Sequence, residues 1–304
     1  MTRDDITRRE EPVMRLSRVV LPALLACAVL LLPMACSSAT GAPDPTLRIS
    51  GSTTVNPVAA DAAVVLRERT GQPITVDTQG GSAGGLAQLC SGEIDIAMSS
   101  KPIADSDRAQ FPACDYQPAK IGEDAVGIVV RREVYDAGVR NLTREQAQAV
   151  FEARINNWRE LGGPDLDIFI YDKEPGRGTR EMLDKFLYGS DGTAPPPPDS
   201  DRFAVVGGNE ETRAKLLSTP GSVGPLSTSF VTDHPELAVV ALEGIEATPE
   251  TVAGGRYPMS RPLYLVTDGP AAGRAKEFID YVLSPQGQQL LTRHGYLTVA
   301  ELEQ

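Results

Sequence analysis

The sequence predicts an α/β protein built around mostly parallel sheets. From Leu47 onward, short apolar runs alternate with segments of helical periodicity, which is the pattern of strand–helix–strand units. Hydrophobic residues make up 41% of the 304 residues, enough to form a core rather than a disordered chain. The length fits one large domain or two modest ones.

The first part of the chain contains three predicted strands and two predicted helices. Pro57 suits the first turn of the first helix, because its missing N–H would have no partner there. Gly71 follows that helix as a stop signal. The strands are predicted at residues 47–50, 74–78 and 94–98, and the helices at residues 57–69 and 82–90.

A second α/β set follows the strongly apolar segment AVGIVVR at residues 125–131. Strands are predicted there and at 168–171, 222–226 and 262–267, and helices at 143–151, 179–187, 212–217, 272–283 and 285–294. Thr143 is the expected cap of its helix. Residues 190–202 contain four consecutive prolines, Pro195 to Pro198, and are predicted to form a surface loop.

The C-terminal helices are expected to pack on the first part of the chain, which makes that domain discontinuous. We therefore predict one domain from residues 46–127 plus 263–304 and a second from residues 128–262.

The N-terminal segment has the order of a secretory signal. Basic residues precede the apolar stretch from Val19 to Leu32, and small residues follow it. This stretch is shorter than the ~20 residues of a membrane span, although a single-span anchor is the alternative. Leu32 to Cys36 resembles a lipobox, so residues 1–36 are predicted to be a signal peptide, Cys36 the lipidated residue and residues 37–45 a tether. The expected location is extracytoplasmic, anchored by lipid to the outer face of the cell membrane.

Two further cysteines, Cys90 and Cys114, form an even number in an oxidising compartment. A disulfide is the hypothesis, and two buried free thiols are the alternative. The chain has only two histidines, His234 and His294, which lie far apart without paired cysteine spacing. Neither a metal site nor a cofactor is therefore expected.

The net charge of −12 argues against nucleic acid as a partner, since that requires a basic face. Four loops nevertheless have the composition of anion sites, because each follows a strand and is rich in Gly, Ser or Thr. Hydroxyls and free N–H groups at helix N-termini are donors for an anion. The loops are residues 51–54, 80–85, 99–102 and 175–179.

The sequence does not match common motifs of enzyme active sites. The chain contains no Walker A sequence, no Rossmann fingerprint and no G-x-S-x-G elbow. Binding without turnover is the better interpretation, so we do not expect an enzyme.

Six motifs, in order, resemble the phosphate-binding lipoproteins of ABC-type phosphate importers: GSTTVNP, TQGGSAGG with GEIDIAMSSKP, INNWRELGG, DKEPGRGTRE, GNEETRAKLLSTPGSVG and YPMSRPLYLVT. The resemblance covers nearly all of the chain after the signal. It implies a two-domain class II periplasmic-binding-protein fold with the ligand in the cleft between the domains. It also implies a monomer that binds inorganic phosphate and delivers it to an ABC permease.

The resemblance also implies a set of ligand-binding residues, carried over by position: Thr53, Thr54, Ser82, Ser100, Lys173, Arg177, Gly178 and Thr179. Three of them depart from the family pattern. Lys173 replaces an Arg and so offers the point charge of an ammonium instead of a bidentate guanidinium. Arg177 replaces a Ser, and it either takes over the guanidinium role or points to solvent. Ser100 removes a carboxylate acceptor unless Asp124 or another acid supplies one.

Other functions stay open at this point. The site also suits sulfate, molybdate or tungstate, because two cations among hydroxyls do not require a protonated ligand. A secreted phosphoester hydrolase is a less favoured alternative, and a third is a sensor lipoprotein that has lost ligand binding.

Overall fold

The computed structural model describes residues 46–189 and 193–303. The predicted signal peptide, the lipidation site Cys36 and the whole predicted tether lie outside these ranges. Within them, no helix is both long enough and apolar enough to cross a membrane.

Strands and helices alternate along most of the described chain. The strands are β1 (Leu47–Gly51), β2 (Ile74–Asp77), β3 (Ile96–Ser99), β4 (Tyr116–Arg131), β5 (Asn141–Leu142), β6 (Phe169–Lys173), β7 (Phe203–Val206), β8 (Ser222–Ser227), β9 (Leu237–Val239), β10 (Ala241–Leu242), β11 (Ser260–Asp268) and β12 (Leu297–Thr298). The helices are α1 (Asn56–Thr70), α2 (Gly81–Cys90), α3 (Asp105–Gln110), α4 (Arg132–Asp136), α5 (Arg144–Phe151), α6 (Gly178–Tyr188), α7 (Asn209–Ser218), α8 (Pro249–Ala253), α9 (Gly273–Leu283), α10 (Pro285–Arg293) and α11 (Val299–Leu302).

In the described ranges, one sheet has the strand order β2-β1-β3-β11-β4-β8-β6-β7, with β9 and β12 also paired to β4. Strand β4 runs through the middle of it for 16 residues. Up to Ala125 it pairs antiparallel with β11, and from Val126 it pairs antiparallel with β8. We call the strands on either side of this change the first half (β1, β2, β3, β11, β12) and the second half (β6, β7, β8, β9).

The strands that alternate with helices run parallel in both halves. Strand β1 is parallel to β2 and β3, and β6 is parallel to β7 and β8. Antiparallel pairing is confined to partners of β4 and β11 in this sheet. The fold is thus the two-domain α/β class that the sequence predicts, whereas the predicted boundaries at residues 127 and 262 stay a prediction.

Each half has its own buried core. In the first, Ile49 packs with residues of α1, α9 and α10 such as Phe278 and Leu291. In the second, Ile128 packs with Trp158 and Phe186. Burying each of these side chains contributes about 1.5–3 kcal/mol. These cores hold the carboxyl ends of the parallel strands, and the loops that follow them, in fixed positions.

Helix ends follow the expected signals. Gly71 adopts a left-handed φ of 70° and closes α1 by donating its N–H to the carbonyl of Arg67. The Thr143 side chain accepts a hydrogen bond from the Gln146 N–H and caps α5, as predicted.

Strand β4 begins nine residues before the segment predicted at residues 125–131. The added residues 116–124 read YQPAKIGED, which lacks the apolar pattern of a buried strand. They form a strand because β11, far along the chain, pairs with them. Pairing of this range cannot be found from local sequence.

Cys90 and Cys114 form a disulfide with a Cα–Cα distance of 5.4 Å. It connects the end of α2 to the segment that leads into β4. The bond closes a loop with a sequence separation of 24, so it restricts the unfolded chain as well as holding α2.

Replacing both cysteines, as Cys90→Ala/Cys114→Ala, is expected to lower the free energy of unfolding by about 3 kcal/mol, because a loop of this length loses its closure. Guanidinium titration followed by circular dichroism measures the change. Reductant is expected to shift the wild-type midpoint, to add the mass of two hydrogen atoms, and to leave the double variant unchanged. A wild-type mass that does not respond to reductant contradicts the disulfide.

Candidate functional site

Loops from both halves of the sheet form a small cavity of ≈ 10 Å³. All eight residues assigned from sequence to ligand binding line it, namely Thr53, Thr54, Ser82, Ser100, Lys173, Arg177, Gly178 and Thr179. Four further residues complete the lining: Ser52, Gly81, Gly207 and Asn209. Their roles as ligands stay predictions, but the geometry brings the whole set together.

The N-termini of four helices are directed at this cavity. Helices α2, α6 and α7 begin at the lining residues Gly81, Gly178 and Asn209, and α1 begins two residues after Thr54. The first turn of a helix leaves N–H groups without intrahelical partners and carries a partial positive charge. No carboxylate occurs among the described residues that line the cavity, so its potential is suited to an anion.

The two halves touch directly around the cavity. The Ala83 N–H donates to the Gly176 carbonyl at 3.1 Å. A Cβ atom on Gly178 would lie 2.7 Å from the Ser100 Oγ and 2.8 Å from its carbonyl oxygen. Only glycine lets α6 approach the end of β3 this closely, so the conformation is a closed one.

A fully buried ion pair lies beneath the cavity. Arg261 of β11 donates from Nη2 and Nε to Oδ2 of Asp124 on β4, at 2.8 and 3.0 Å. Both side chains are 0% exposed. Burial raises the pKa of Asp124, and Arg261 and the Ser227 hydroxyl oppose the shift. Asp124 therefore does not reach the cavity as an acceptor, because its oxygens already face Arg261 and Ser227.

The same guanidinium reaches both halves of the binding site. Its Nη2 donates to Thr54 Oγ1 at 2.9 Å, and its Nη1 donates to Thr179 Oγ1 at 2.9 Å. Thr54 follows β1 in the first half, whereas Thr179 lies on α6 in the second. Arg261 thus fixes the relative position of two cavity hydroxyls from below.

Lys173 is buried, and its ammonium is engaged by α7. It donates to the Gly208 carbonyl and the Asn209 Oδ1, each at 3.2 Å, and to the Thr212 hydroxyl. Burial lowers its pKa to about 7, and the nearby cations Arg261 and Arg177 act in the same direction. Lys173 therefore holds the N-terminus of α7 against the cavity as well as lining it.

Arg177 forms the outer wall of the cavity. Its guanidinium is paired with Glu174, at 2.6 Å from Nη2 to Oε2, and its side chain is 14% exposed. A Cβ on Gly81 would lie 2.7 Å from the Arg177 Cδ. The sequence leaves two alternatives for Arg177, a guanidinium contact with the ligand or a side chain that points to solvent. Neither describes it fully, because Arg177 lies at the cavity edge with a carboxylate partner.

Ser82 and Ser100 meet at the floor of the cavity. Their hydroxyl oxygens are 3.3 Å apart, and the Ser82 Oγ accepts from the Ser100 N–H at 3.1 Å. Hydroxyls can either donate or accept, so this pair can accept a hydrogen bond from a protonated ligand oxygen.

A second ion pair joins the halves outside the cavity. The Lys101 ammonium lies 2.9 Å from Asp107 of α3 and 3.0 Å from Glu181 of α6. Burial alone would lower the pKa of Lys101, but hydrogen bonds and charges from Asp107 and Glu181 outweigh burial and leave the pKa raised.

The described residues contain no group of three or more His, Cys, Asp or Glu side chains that could hold a metal ion. Neither histidine lines the cavity. His294 lies 2.9 Å from Asp61, and His234 lines an outer groove.

Two residues that organise the site, Arg261 and Asn209, are missing from the set predicted from sequence. The supporting role of Asp124 is also not predicted. A lone Arg at the start of the apolar segment RPLYLV is a signal for Arg261, because a charge in a buried strand requires a partner. Asn209 lies inside the resembling GNEETR segment, and the predicted helix began three residues too late to reveal it.

Two domains that close over a small polar cavity define a binding protein of the class II periplasmic-binding fold. Residues 37–286 match the PBP superfamily domain. The chain is 30% identical over 260 residues to the phosphate-binding protein PstS of Bacillus subtilis, covering 84% of this chain and 82% of that one. It is 25% identical to PstS of Borreliella burgdorferi, covering 83% and 89%.

Solved structures agree. A proposed phosphate ABC transporter substrate-binding protein from Clostridium perfringens, with bound phosphate, superposes with a TM-score of 0.73 at 25% identity, covering 84% of this chain and 100% of that one. An ABC-type phosphate transport receptor from Vibrio cholerae gives a TM-score of 0.65 at 25% identity, covering 83% and 99%. The chain therefore belongs to the PBP superfamily and, within it, to the family of the phosphate-binding protein PstS.

Lys173 makes a testable contribution to the pH dependence of stability. The unfolded chain keeps its ordinary pKa of 10.5, whereas the folded value is about 7. Between these values the unfolded state binds more protons, so stability rises with pH by up to about 1.4 kcal/mol per unit. Relative to Lys173→Met, the wild type is expected to gain stability from pH 7 to pH 9.

Chemical denaturation of both proteins at several pH values measures this difference. Lys185→Met on the exposed side of α6 serves as the matched control for removing a lysine side chain from this region. A difference between Lys173→Met and wild type that does not change with pH contradicts the lowered pKa of Lys173.

Proposed function

We propose that this protein binds inorganic phosphate outside the cytoplasm and delivers it to an ABC permease. The observation that carries the proposal is the closed cavity, which is lined by hydroxyls and helix N-termini, is edged by cations and has no carboxylate among its described lining residues. Membership of the PstS family supports phosphate as the ligand.

The size of the cavity supports a small inorganic ion. Its volume of ≈ 10 Å³ lies far below the ~300–1,000 Å³ of pockets for drug-sized ligands, so only a small ligand could be held without opening the cleft. Hydrogen bonds from N–H and O–H donors are stronger in such an enclosed, low-dielectric site than in water. An acidic chain of net charge −12 thus binds an anion through local donors.

The positive charge of the site is divided among three residues. Lys173 lines the cavity and is held by α7, Arg177 forms its edge, and Arg261 lies below the threonine hydroxyls. Phosphate binding places negative charge among them, which favours the protonated form of Lys173.

Extracytoplasmic location and lipid anchoring at Cys36 are part of the proposal. The Cys90–Cys114 disulfide supports an oxidising compartment, and the basic, apolar and small-residue order before residue 37 supports export. We further propose that the protein acts as a monomer, without catalytic turnover, with domains at residues 46–127 plus 263–304 and 128–262.

Titration of the purified protein with phosphate by calorimetry tests the ligand. We expect saturable heat with one site per chain, and weaker or no heat with sulfate, molybdate or tungstate. Heat with one of these anions and none with phosphate overturns the ligand assignment while keeping an oxyanion receptor. Turnover of a chromogenic phosphate ester favours a hydrolase instead.

Gly178→Ala tests whether binding requires the closed form. The added Cβ meets the Ser100 Oγ and carbonyl at 2.7 and 2.8 Å. Such overpacking costs about 1–3 kcal/mol, which corresponds to a loss of phosphate affinity of about 5- to 150-fold. The free energy of unfolding without phosphate is expected to change less, because an open form relieves the contact.

Lys185→Ala, on the same helix but exposed, is the control and should retain wild-type affinity. Small-angle scattering provides the second measurement, since phosphate should compact the wild type more than Gly178→Ala. Unchanged affinity in Gly178→Ala contradicts the requirement for this closed contact.

A further inference from the structure

Thr54 occupies an unusual position in the hydrogen-bond network of the cavity. Its Oγ1 accepts from Arg261 Nη2 at 2.9 Å and from Asn209 Nδ2 at 2.9 Å. A threonine hydroxyl has one proton and two lone pairs. Both lone pairs are therefore in use, and the hydroxyl can only donate its proton.

The orientation of the Asn209 amide is fixed independently. Its Oδ1 accepts from the Lys173 ammonium at 3.2 Å, and an ammonium offers only donors. The amide nitrogen must then face Thr54. Arg261 cannot accept either, because a guanidinium has five N–H donors and no acceptor.

The Thr54 proton has no acceptor among the described residues. Thr54 is 1% exposed and lines the cavity, and no hydrogen bond donated by its hydroxyl is formed within residues 46–189 and 193–303. A buried donor without a partner is costly, so the cavity side is where an acceptor is required.

We propose that Arg261 is a positioning residue for the ligand: acting from beneath the cavity through Thr54, it turns the threonine hydroxyl into an obligatory donor to an oxygen that carries no proton. This inference rests on the oxyanion-binding function proposed above and deepens it. Arg261 does not line the cavity, so its charge reaches the anion through the hydroxyl rather than by contact.

The polarity of the network explains why Arg261 is paired with Asp124. The carboxylate occupies Nε and one Nη2 proton, which fixes the plane of the guanidinium. Two of the three remaining donors of that plane then point to Thr54 and Thr179. A lysine at this position could neutralise Asp124, but a point charge on a flexible stem does not hold the same geometry.

A double-mutant cycle on phosphate affinity tests this role. Arg261→Lys keeps the buried charge, and Thr54→Val removes the hydroxyl at nearly constant volume. We expect Arg261→Lys to weaken phosphate binding about 10- to 100-fold in the wild-type background, since an oriented hydrogen bond to a charged group is lost. In the Thr54→Val background the same change should weaken binding less than about threefold.

The cycle separates positioning from structure. If Arg261 only supports the fold, its replacement weakens binding by the same factor in both backgrounds, and the proposal is wrong. Arg256→Lys, an exposed Arg paired with Glu250 at 3.3 Å, is the matched control and should show no coupling to Thr54→Val. Thr54→Ser, which keeps a hydroxyl, should restore most of the affinity lost in Thr54→Val.

Thermal unfolding of each variant checks that it folds. If Arg261→Lys does not fold, Asp124→Asn/Arg261→Gln replaces it in the cycle, because that pair removes both buried charges together and leaves one amide donor. Failure of the wild type to bind any oxyanion overturns the function itself. If the wild type binds phosphate and the effects of Arg261→Lys and Thr54→Val on affinity are additive, only the proposed role of Arg261 is overturned.

Discussion

The buried pair of Arg261 and Asp124 is the interaction on which the rest of the site depends. It lies on the two central strands, β4 and β11, close to the place where β4 changes partners. Removing an Arg and an Asp from water is costly, and only good geometry with further hydrogen bonds compensates. Thr54, Thr179 and Ser227 supply those bonds, so the binding loops are held by the same contacts that stabilise the buried charges.

A second chain of contacts leads from Asp124 to the first binding loop by another route. Ser227 bonds to Ser229, the Ser229 hydroxyl contacts Tyr296, and the Tyr296 hydroxyl donates to the Thr54 carbonyl at 2.7 Å. The Thr54 backbone and side chain are therefore both connected to the pair. Burial raises the pKa of Tyr296, which keeps its hydroxyl a neutral donor.

Much of the lining could be predicted from sequence, and the supporting residues could not. Gly-rich segments after strands, such as those containing Ser82 and Gly178, have local signals, and the parallel strands bring them to one edge of the sheet. Arg261 and Asp124 meet across 137 residues of sequence, and nothing local to either indicates the partner. The sequence offers Asp124 as an acceptor for the ligand, but its burial against Arg261 gives it a supporting role.

The roles of Lys173 and Arg177, which replace an Arg and a Ser of the family pattern, could also not be predicted from the sequence. Their charges suggested direct contact with an anion, but the ammonium is engaged by α7 and the guanidinium by Glu174. Which protein groups compete for a cation depends on packing that no spacing in the sequence encodes.

Strand β4 has a final consequence for how the molecule unfolds. One continuous strand of 16 residues pairs with β11 up to Ala125 and with β8 from Val126, so unfolding of one half frees one end of a strand that the other half still holds. We therefore expect the unfolding of the two halves to be coupled through β4. The integrity of each half thus depends on a single stretch of backbone that both halves share.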